Sequence, residues 1–504
     1  MLKFRIGFVR SMFGLLWLLI GCAVAVDAQT GPELVRAAKQ QDTAAVQALL
    51  AQGVDVNAPQ GDGATALHWA AYRDDAETVE RLIGAGANVN AANDLHVTPL
   101  ALATANGNAE IVRSLLAAGA SPNAAGETGV TPLMEAARTG SVEAVRVLLE
   151  FDADVNARTN DRQQTALMWA VTQHHPQVVG VLLDSGADPH ARTRTRRDLI
   201  MLDKGGPQAV KQAVDVGKQV DRGGNTALLL AAQGGAVEAA RLLRAAGSEL
   251  NEAGSDGNTP LVVAVFSGHG SFASWLLDEG ADADAAGGGY TALHSAVLRS
   301  DLETVRTLLA HGADPNVAMT RGSPLRRNGS QWALSSAWAG ATPLVLAASY
   351  LELDIMRVLV AGGASHTLAL PDGTTPLLVV AGVAPERRLN RPLDHADTST
   401  DIGDNCCDRP EAGILKALEL LLDAGADVNH ANQAGDTALH TAASGGLSLA
   451  IQFLADRGAE LNMKNQAGQT PVDLTAGRAG GRRGGPSSQL KEAGDLLRKL
   501  ARTP

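Results

Sequence analysis

The chain has 504 residues, a formal net charge of −12 and only 3% aromatic residues. The acidic balance excludes nucleic acid as the main ligand and bulk adsorption to an anionic membrane. So few aromatic side chains exclude a bulky central core and favour thin elements packed closely.

At the N-terminus, Lys3, Arg5 and Arg10 precede an apolar run over 11–20 that is too short to span a bilayer. Val26-Asp27-Ala28 then offers a small-residue cleavage site, so residues 1–28 read as an export signal and the mature protein as periplasmic or extracellular. Leu19-Ile20-Gly21-Cys22 offers an alternative, a lipoprotein signal with a lipid anchor on Cys22, and an uncleaved anchor is a third. Losing 1–28 removes three basic residues and one acidic one and moves the charge from −12 to −14.

Residues 29–57 keep a helical apolar pattern with one polar face, as expected of a terminal unit that meets water on one side. Residues 58–190 carry four regular units, of which the one opening on Thr98-Pro99-Leu100 is the clearest. Thr98 is placed to cap a helix, Pro99 takes the first helical position where its missing donor costs nothing, and Gly107 supplies a left-handed stop. Ile111, Val112, Leu115 and Leu116 then form one apolar stripe at helical period, ended by Gly119. Residues 191–224 lose the pattern: Arg192, Arg194, Arg196 and Arg197 lead into a weak helix over 206–216, read as a degenerate unit or linker. Regular units resume over 225–316. Next comes an insertion at 317–340, with Arg321, Arg326, Arg327, Trp332 and Trp338. Units return over 341–382, and a second, acidic insertion at 383–410 surrounds Cys406-Cys407. Regular units fill 411–469. The last unit, 470–504, is broken by glycines over 477–485 and ends in a polar helix over 489–501 that suits a C-terminal cap.

Threonines opening a Thr-x-Leu or similar tripeptide stand at Thr65, Thr98, Thr131, Thr165, Thr226, Thr259, Thr291, Thr342, Thr375, Thr437 and Thr470. Their spacings are 33, 33, 34, 61, 33, 32, 51, 33, 62 and 33, and seven of the ten agree within one residue, which excludes coincidence. With Thr-x-Leu-His at Thr65–His68, Thr291–His294 and Thr437–His440, the unit resembles the ankyrin repeat. The resemblance implies an all-α ankyrin-repeat solenoid of helix-turn-helix units with short β-turn loops and capping repeats at both ends. It implies that His68, His294 and His440 stitch repeats together through backbone hydrogen bonds, and that a protein partner is bound on a concave face. By that register the variable positions hold Tyr72, Arg73, Arg138, Gln173, Phe266, Arg299 and Tyr350. Tyr and Arg are among the residue types that dominate interface energetics. Arg326, Arg327, Trp332 and Trp338 in the first insertion join them as candidates, whereas Trp69 and Trp169 are expected to pack between repeats.

Catalytic motifs are missing from the sequence: no phosphate loop, no His-Glu-x-x-His helix and no Gly-x-Ser-x-Gly elbow. Ser488-Gln489-Leu490-Lys491 has the Ser-x-x-Lys spacing without its partner motifs, and the glycine runs at 287–289 and 480–485 come after no hydrophobic strand. The expectation is a non-catalytic, monomeric scaffold with no cofactor and no metal. One alternative is an enzyme or enzyme subunit with chemistry or metal binding at 383–410, where Asp394, His395 and Cys406 occur. The other is a secreted effector acting on host proteins.

Overall fold

The computed structural model describes residues 32–201, 217–320, 339–382, 410–476 and 488–502. The chain forms two compact units, one reaching Arg194 and including Glu238–Ser248, the other comprising Thr195–Val237 and the rest from Glu249. Among the described residues the structure holds 24 helices and one pair of strands.

Unit one contains five inner–outer helix pairs: α1 (Glu33–Gln40) with α2 (Thr43–Ala51), α3 (Ala66–Tyr72) with α4 (Ala76–Gly84), α5 (Pro99–Asn106) with α6 (Ala109–Ala117), α7 (Pro132–Thr139) with α8 (Val142–Glu150), and α9 (Ala166–Thr172) with α10 (Pro176–Asp184). Local chemistry sets these bounds. Thr98 Oγ1 accepts from the Ala101 amide at 3.2 Å, Pro99 is the first helical residue, and Gly107 closes α5 in the left-handed region at φ 76°. Short polar side chains start the outer helices: Asp42, Asp75 and Asn108 accept from Ala45, Thr78 and Ile111 amides at 2.9, 3.0 and 3.1 Å. Each such cap stabilises its helix by about 1 kcal/mol.

The inner helices are lined with alanines. Ala70, Ala71, Ala103, Ala136 and Ala137 are fully buried, which lets successive inner helices approach closely. The outer helices contribute the larger side chains, Val79, Leu82, Ile111, Leu115, Val145 and Leu148 among them. Burying each is worth roughly 1.5–3 kcal/mol, and each helix buries its stripe only on its neighbours.

Between helix pairs the chain turns back on itself as a finger. In unit one the Asn93 amide donates to Val97 and the Thr159 amide to Gln164, closing individual fingers at 3.1 and 3.0 Å. Neighbouring fingers are joined by Asp94 to Asp62, Asn160 to Thr128 and Arg194 to Arg162, at 2.9, 2.8 and 2.8 Å.

Unit two opens on an antiparallel strand pair, β1 (Arg196–Met201) and β2 (Gly217–Arg222), with Arg196 opposite Arg222 and Met201 opposite Gly217. Within 191–224, read from sequence as a degenerate repeat or linker, the described residues hold β1 and β2, and the helix expected over 206–216 falls outside the described residues. The Ser255 amide donates to the Gly223 carbonyl at 3.0 Å, the same finger-to-finger bond that recurs in unit one. The 61-residue spacing therefore contains a lengthened finger.

The next helices are α11 (Ala227–Gly234), α12 (Val237–Ala245, almost wholly in unit one), α13 (Pro260–Ser267), α14 (Gly270–Asp278), α15 (Ala292–Leu298) and α16 (Leu302–Ala310). Beyond them come α17 (Pro343–Tyr350), α18 (Leu353–Ala361), α19 (Pro376–Ala381), α20 (Pro410–Asp423), α21 (Ala438–Gly445), α22 (Ser448–Asp456), α23 (Pro471–Leu474) and α24 (Ser488–Leu500). The 51-residue spacing has the same origin as the 61-residue one. Met319 donates to Ala341 at 2.8 Å and Gly340 back to Met319 at 2.6 Å, so the first insertion leaves from a closed finger stem. The second insertion and the glycine-rich break instead connect inner to outer helices, α19 to α20 and α23 to α24.

Candidate interaction surfaces

The three Thr-x-Leu-His histidines share one geometry. The Thr65 amide donates to His68 Nδ1 at 3.1 Å, and His68 Nε2 lies 3.0 Å from the Val97 carbonyl of the next repeat. An amide can only donate, so Nδ1 carries the lone pair and Nε2 the proton it gives to Val97. The matching bonds are Thr291 to His294 at 3.2 Å with Nε2 on Ala341 at 3.2 Å, and Thr437 to His440 at 3.2 Å with Nε2 on Gln469 at 3.1 Å. Burial lowers the pKa of His68, and that of His294 to about 4, with backbone hydrogen bonds opposing the shift in both. All three rings clamp neighbouring repeats together, and His68 and His294 do so as neutral groups.

Sequence reasoning missed a second clamp, although its residues recur in register. Asn57 accepts from the Asn88 amide at 2.7 Å and donates to the Gly86 carbonyl at 3.3 Å. Asn90 does the same with Ser121 and Gly119, Asn123 with Asp154 and Asp152, and Asn156 with Asp188 and Gly186. Unit two repeats the device at Asn316 and Asn429. The signal was the asparagine that closes most repeats, as in Asn88-Val89-Asn90.

The variable positions fall seven and eight residues after each capping threonine, at the C-terminal ends of the inner helices. In unit one they are Tyr72, Arg73, Arg138 and Gln173. Tyr72 meets Trp69 edge-on at 5.7 Å, Arg73 lies 5.8 Å over the Tyr72 ring, and Lys39 caps Trp69 at 4.4 Å. Trp69 is buried beneath this group, while Trp169 is half-buried. Exposed Arg138 pairs with Glu135 at 2.7 Å, and its carbonyl faces His175 Nε2 at 3.1 Å; Gln173 is exposed. In unit two, Phe266 and Tyr350 are each 37% exposed. Arg299 is half-buried and donates to the Phe266 carbonyl at 3.0 Å, so its guanidinium is partly spent within the fold, and burial lowers its pKa. Arg326, Arg327, Trp332 and Trp338 lie outside the described residues, as do Cys22, Asp394, His395, Cys406 and Cys407.

Among the described residues no group of three or more His, Cys, Asp or Glu is arranged to hold a metal, and no helix is long and apolar enough to cross a membrane. A shallow polar hollow in unit one is lined by Asn123, Gly126, Gly129, Asp154, Arg158 and Asn160.

Family models described as ankyrin repeats match residues 34–126, 122–193, 246–319 and 421–474, together more than half of the chain. The chain belongs to the ankyrin-repeat family. The two long stretches left unmatched within the array contain the β1–β2 finger and both insertions. Curated relatives match in part. Human ankyrin repeat and SOCS box protein 16 is 31% identical over 200 residues, 37% of this chain and 40% of the relative. ZDHHC13 of Danio rerio, named as a palmitoyltransferase, is 27% identical over 224 residues, 43% and 32% of the two chains. Protein PhlB of Serratia liquefaciens is 43% identical over 135 residues, 27% and 52%. The chain thus spans about a third to a half of the length of these relatives. Ankyrin repeats in general serve as scaffolds for protein–protein interaction.

Proposed function

We propose that the protein is an exported, non-catalytic scaffold that holds a protein partner on the C-terminal ends of its inner helices. The observation that carries this reading is the Lys39–Trp69–Tyr72–Arg73 group. It sets a buried indole beneath a half-buried tyrosine and flanks both with cations, a combination of rigid aromatic area and charge that suits an interface anchor. Exposed Phe266 and Tyr350 offer the same kind of anchor in unit two. Arg326, Arg327, Trp332 and Trp338 add contacts from the first insertion, and the protein acts as a monomer.

Affinity capture from the envelope fraction of the source organism tests the surface. The wild type recovers a partner that a Tyr72→Ala/Arg73→Ala variant loses and an outer-helix Arg146→Glu variant keeps. Equal recovery by all three proteins rejects the assignment. Export has its own test, the N-terminus of the mature protein. A start at Gln29 supports cleavage after Ala28, a lipid-modified start at Cys22 supports the anchored form, and an intact Met1 rejects both.

A further inference from the structure

The fingers of unit one are segregated by charge. The first three carry Asp62, Asp94 and Glu127 as their charged residues, while the fourth carries Arg158 and Arg162 beside Asp161, and the fifth opens on Arg192 and Arg194 before it runs into β1, where Arg197 pairs with Asp221 at 3.0 Å. The structure holds these arginines on one platform. The Arg194 amide donates to the Arg162 carbonyl at 2.8 Å, and Arg158 Nη1 reaches the Arg192 carbonyl at 3.3 Å, so the two fingers are tied by backbone and by side chain. Arg158, Arg162 and Arg194 are exposed, and Arg158 also lines the hollow between the third and fourth fingers. Asp161 lies 3.7 Å from Arg162 and offsets only part of the charge. Asp154 and Asp188 lie nearby, each accepting the amide two residues ahead, from Asn156 and His190 at 2.9 Å.

We propose that this basic platform is a docking surface for an acidic segment of a partner protein. The argument is charge complementarity. Guanidinium groups favour planar, bidentate pairing with carboxylates, and backbone-tied fingers hold them at little entropic cost. A long polyanion such as DNA would also meet the field of a chain with net charge −12, including the acidic fingers beside the platform, whereas a short acidic peptide fits within the basic end. The proposal rests on the scaffold reading but uses a surface separate from Tyr72 and Arg73, so the two fail independently.

The test is fluorescence anisotropy of labelled octaglutamate with the full chain, at low and at physiological ionic strength, beside a single-stranded DNA long enough to reach past the basic end onto the acidic fingers. The wild type binds the peptide more tightly than the DNA. Arg158→Glu/Arg194→Glu weakens peptide binding at least about tenfold, and Arg146→Glu, an equal change per residue on an outer helix, alters it less than about twofold. Asp161→Asn strengthens binding. Far-ultraviolet circular dichroism melts confirm that each variant is folded; if the double variant is not, Arg162→Gln with Asp161→Asn replaces it, and the proposal requires weaker binding than Asp161→Asn alone. Tighter binding of DNA, equal losses in Arg146→Glu, or no peptide binding by the wild type overturns the proposal. So does a salt-sensitive dimer, seen by light scattering, that excludes the peptide, since the platform would then serve a second copy of the chain. A Tyr72→Ala/Arg73→Ala variant retains octaglutamate binding, which keeps this result separate from the partner-capture test.

Discussion

Protonating His294 breaks one bond and strands a charge: Nδ1 can no longer accept from Thr291, and the charge has no water around it. Its pKa falls from 6.5 to about 4 in the fold, so the unfolded chain binds the proton first as pH drops. Stability is full above about pH 6.5 and erodes between there and pH 4, by a loss on the order of 3 kcal/mol. His68 shifts in the same direction and adds to the slope. Urea titrations at pH 7 and pH 5 read this directly: the wild-type midpoint drops at pH 5, and His294→Gln narrows the gap between the two. A pH-independent wild-type midpoint contradicts the buried, neutral assignment. At Asn90 the chemistry is a donor–acceptor pair, and Asn90→Asp keeps the bond from Ser121 while losing the one to Gly119. The expected loss is about 1–2 kcal/mol, read as a lower melting temperature, with Asn90→Ala losing more.

Fingers and outer-helix ends turn on glycines in the left-handed region, Gly257 in a finger and Gly53 just after α2, and the space around each decides how much a methyl group costs. At Gly257, φ is 85° and an added Cβ would meet the Gly287 carbonyl, a backbone atom that cannot swing aside. At Gly53, φ is 73° and nothing lies within 4 Å. Gly53→Ala therefore costs about 1 kcal/mol from backbone strain alone, and Gly257→Ala more than about 2 kcal/mol, compared by chemical denaturation. Helices, caps and repeat register were legible in the sequence because Thr98, Pro99, Gly107 and the Ile111–Leu116 stripe act locally and recur. The strands at 196–201 and 217–222 were not. Arg196, Arg197, Lys218 and Arg222 give no alternating apolar signal, and the pairing is fixed by finger stems rather than by hydrophobic pattern. The candidate site was half legible. Register located Tyr72, Phe266 and Tyr350, but only the structure shows Lys39 reaching Trp69 from the capping repeat and Arg299 bound to the Phe266 carbonyl.

Across a whole unit, stability is the sum of repeat interfaces that are nearly copies of one another. The Asn57, Asn90, Asn123 and Asn156 clamps make this measurable within unit one. Asn57→Ala and Asn156→Ala act on interfaces that share no partner and should add to within about 0.5 kcal/mol. Asn90→Ala and Asn123→Ala act on the two interfaces of one helix pair, α5 with α6, and should couple by about 0.5 kcal/mol or more. Additivity in both pairs would count against nearest-neighbour coupling as the source of cooperativity.

The closed finger stem turns the array into a host for foreign sequence. Because Met319–Ala341 and the Arg196–Arg222 end of the β1–β2 pair are tied before the chain departs or after it returns, material spliced in at the tip leaves helix register untouched. Lengthening such a graft costs only about 0.6 kcal/mol per doubling. A lineage can thus try out new recognition sequence at a fingertip while the framework beneath it stays the same, and a protein engineer can display a peptide between Met201 and Gly217 on the same terms.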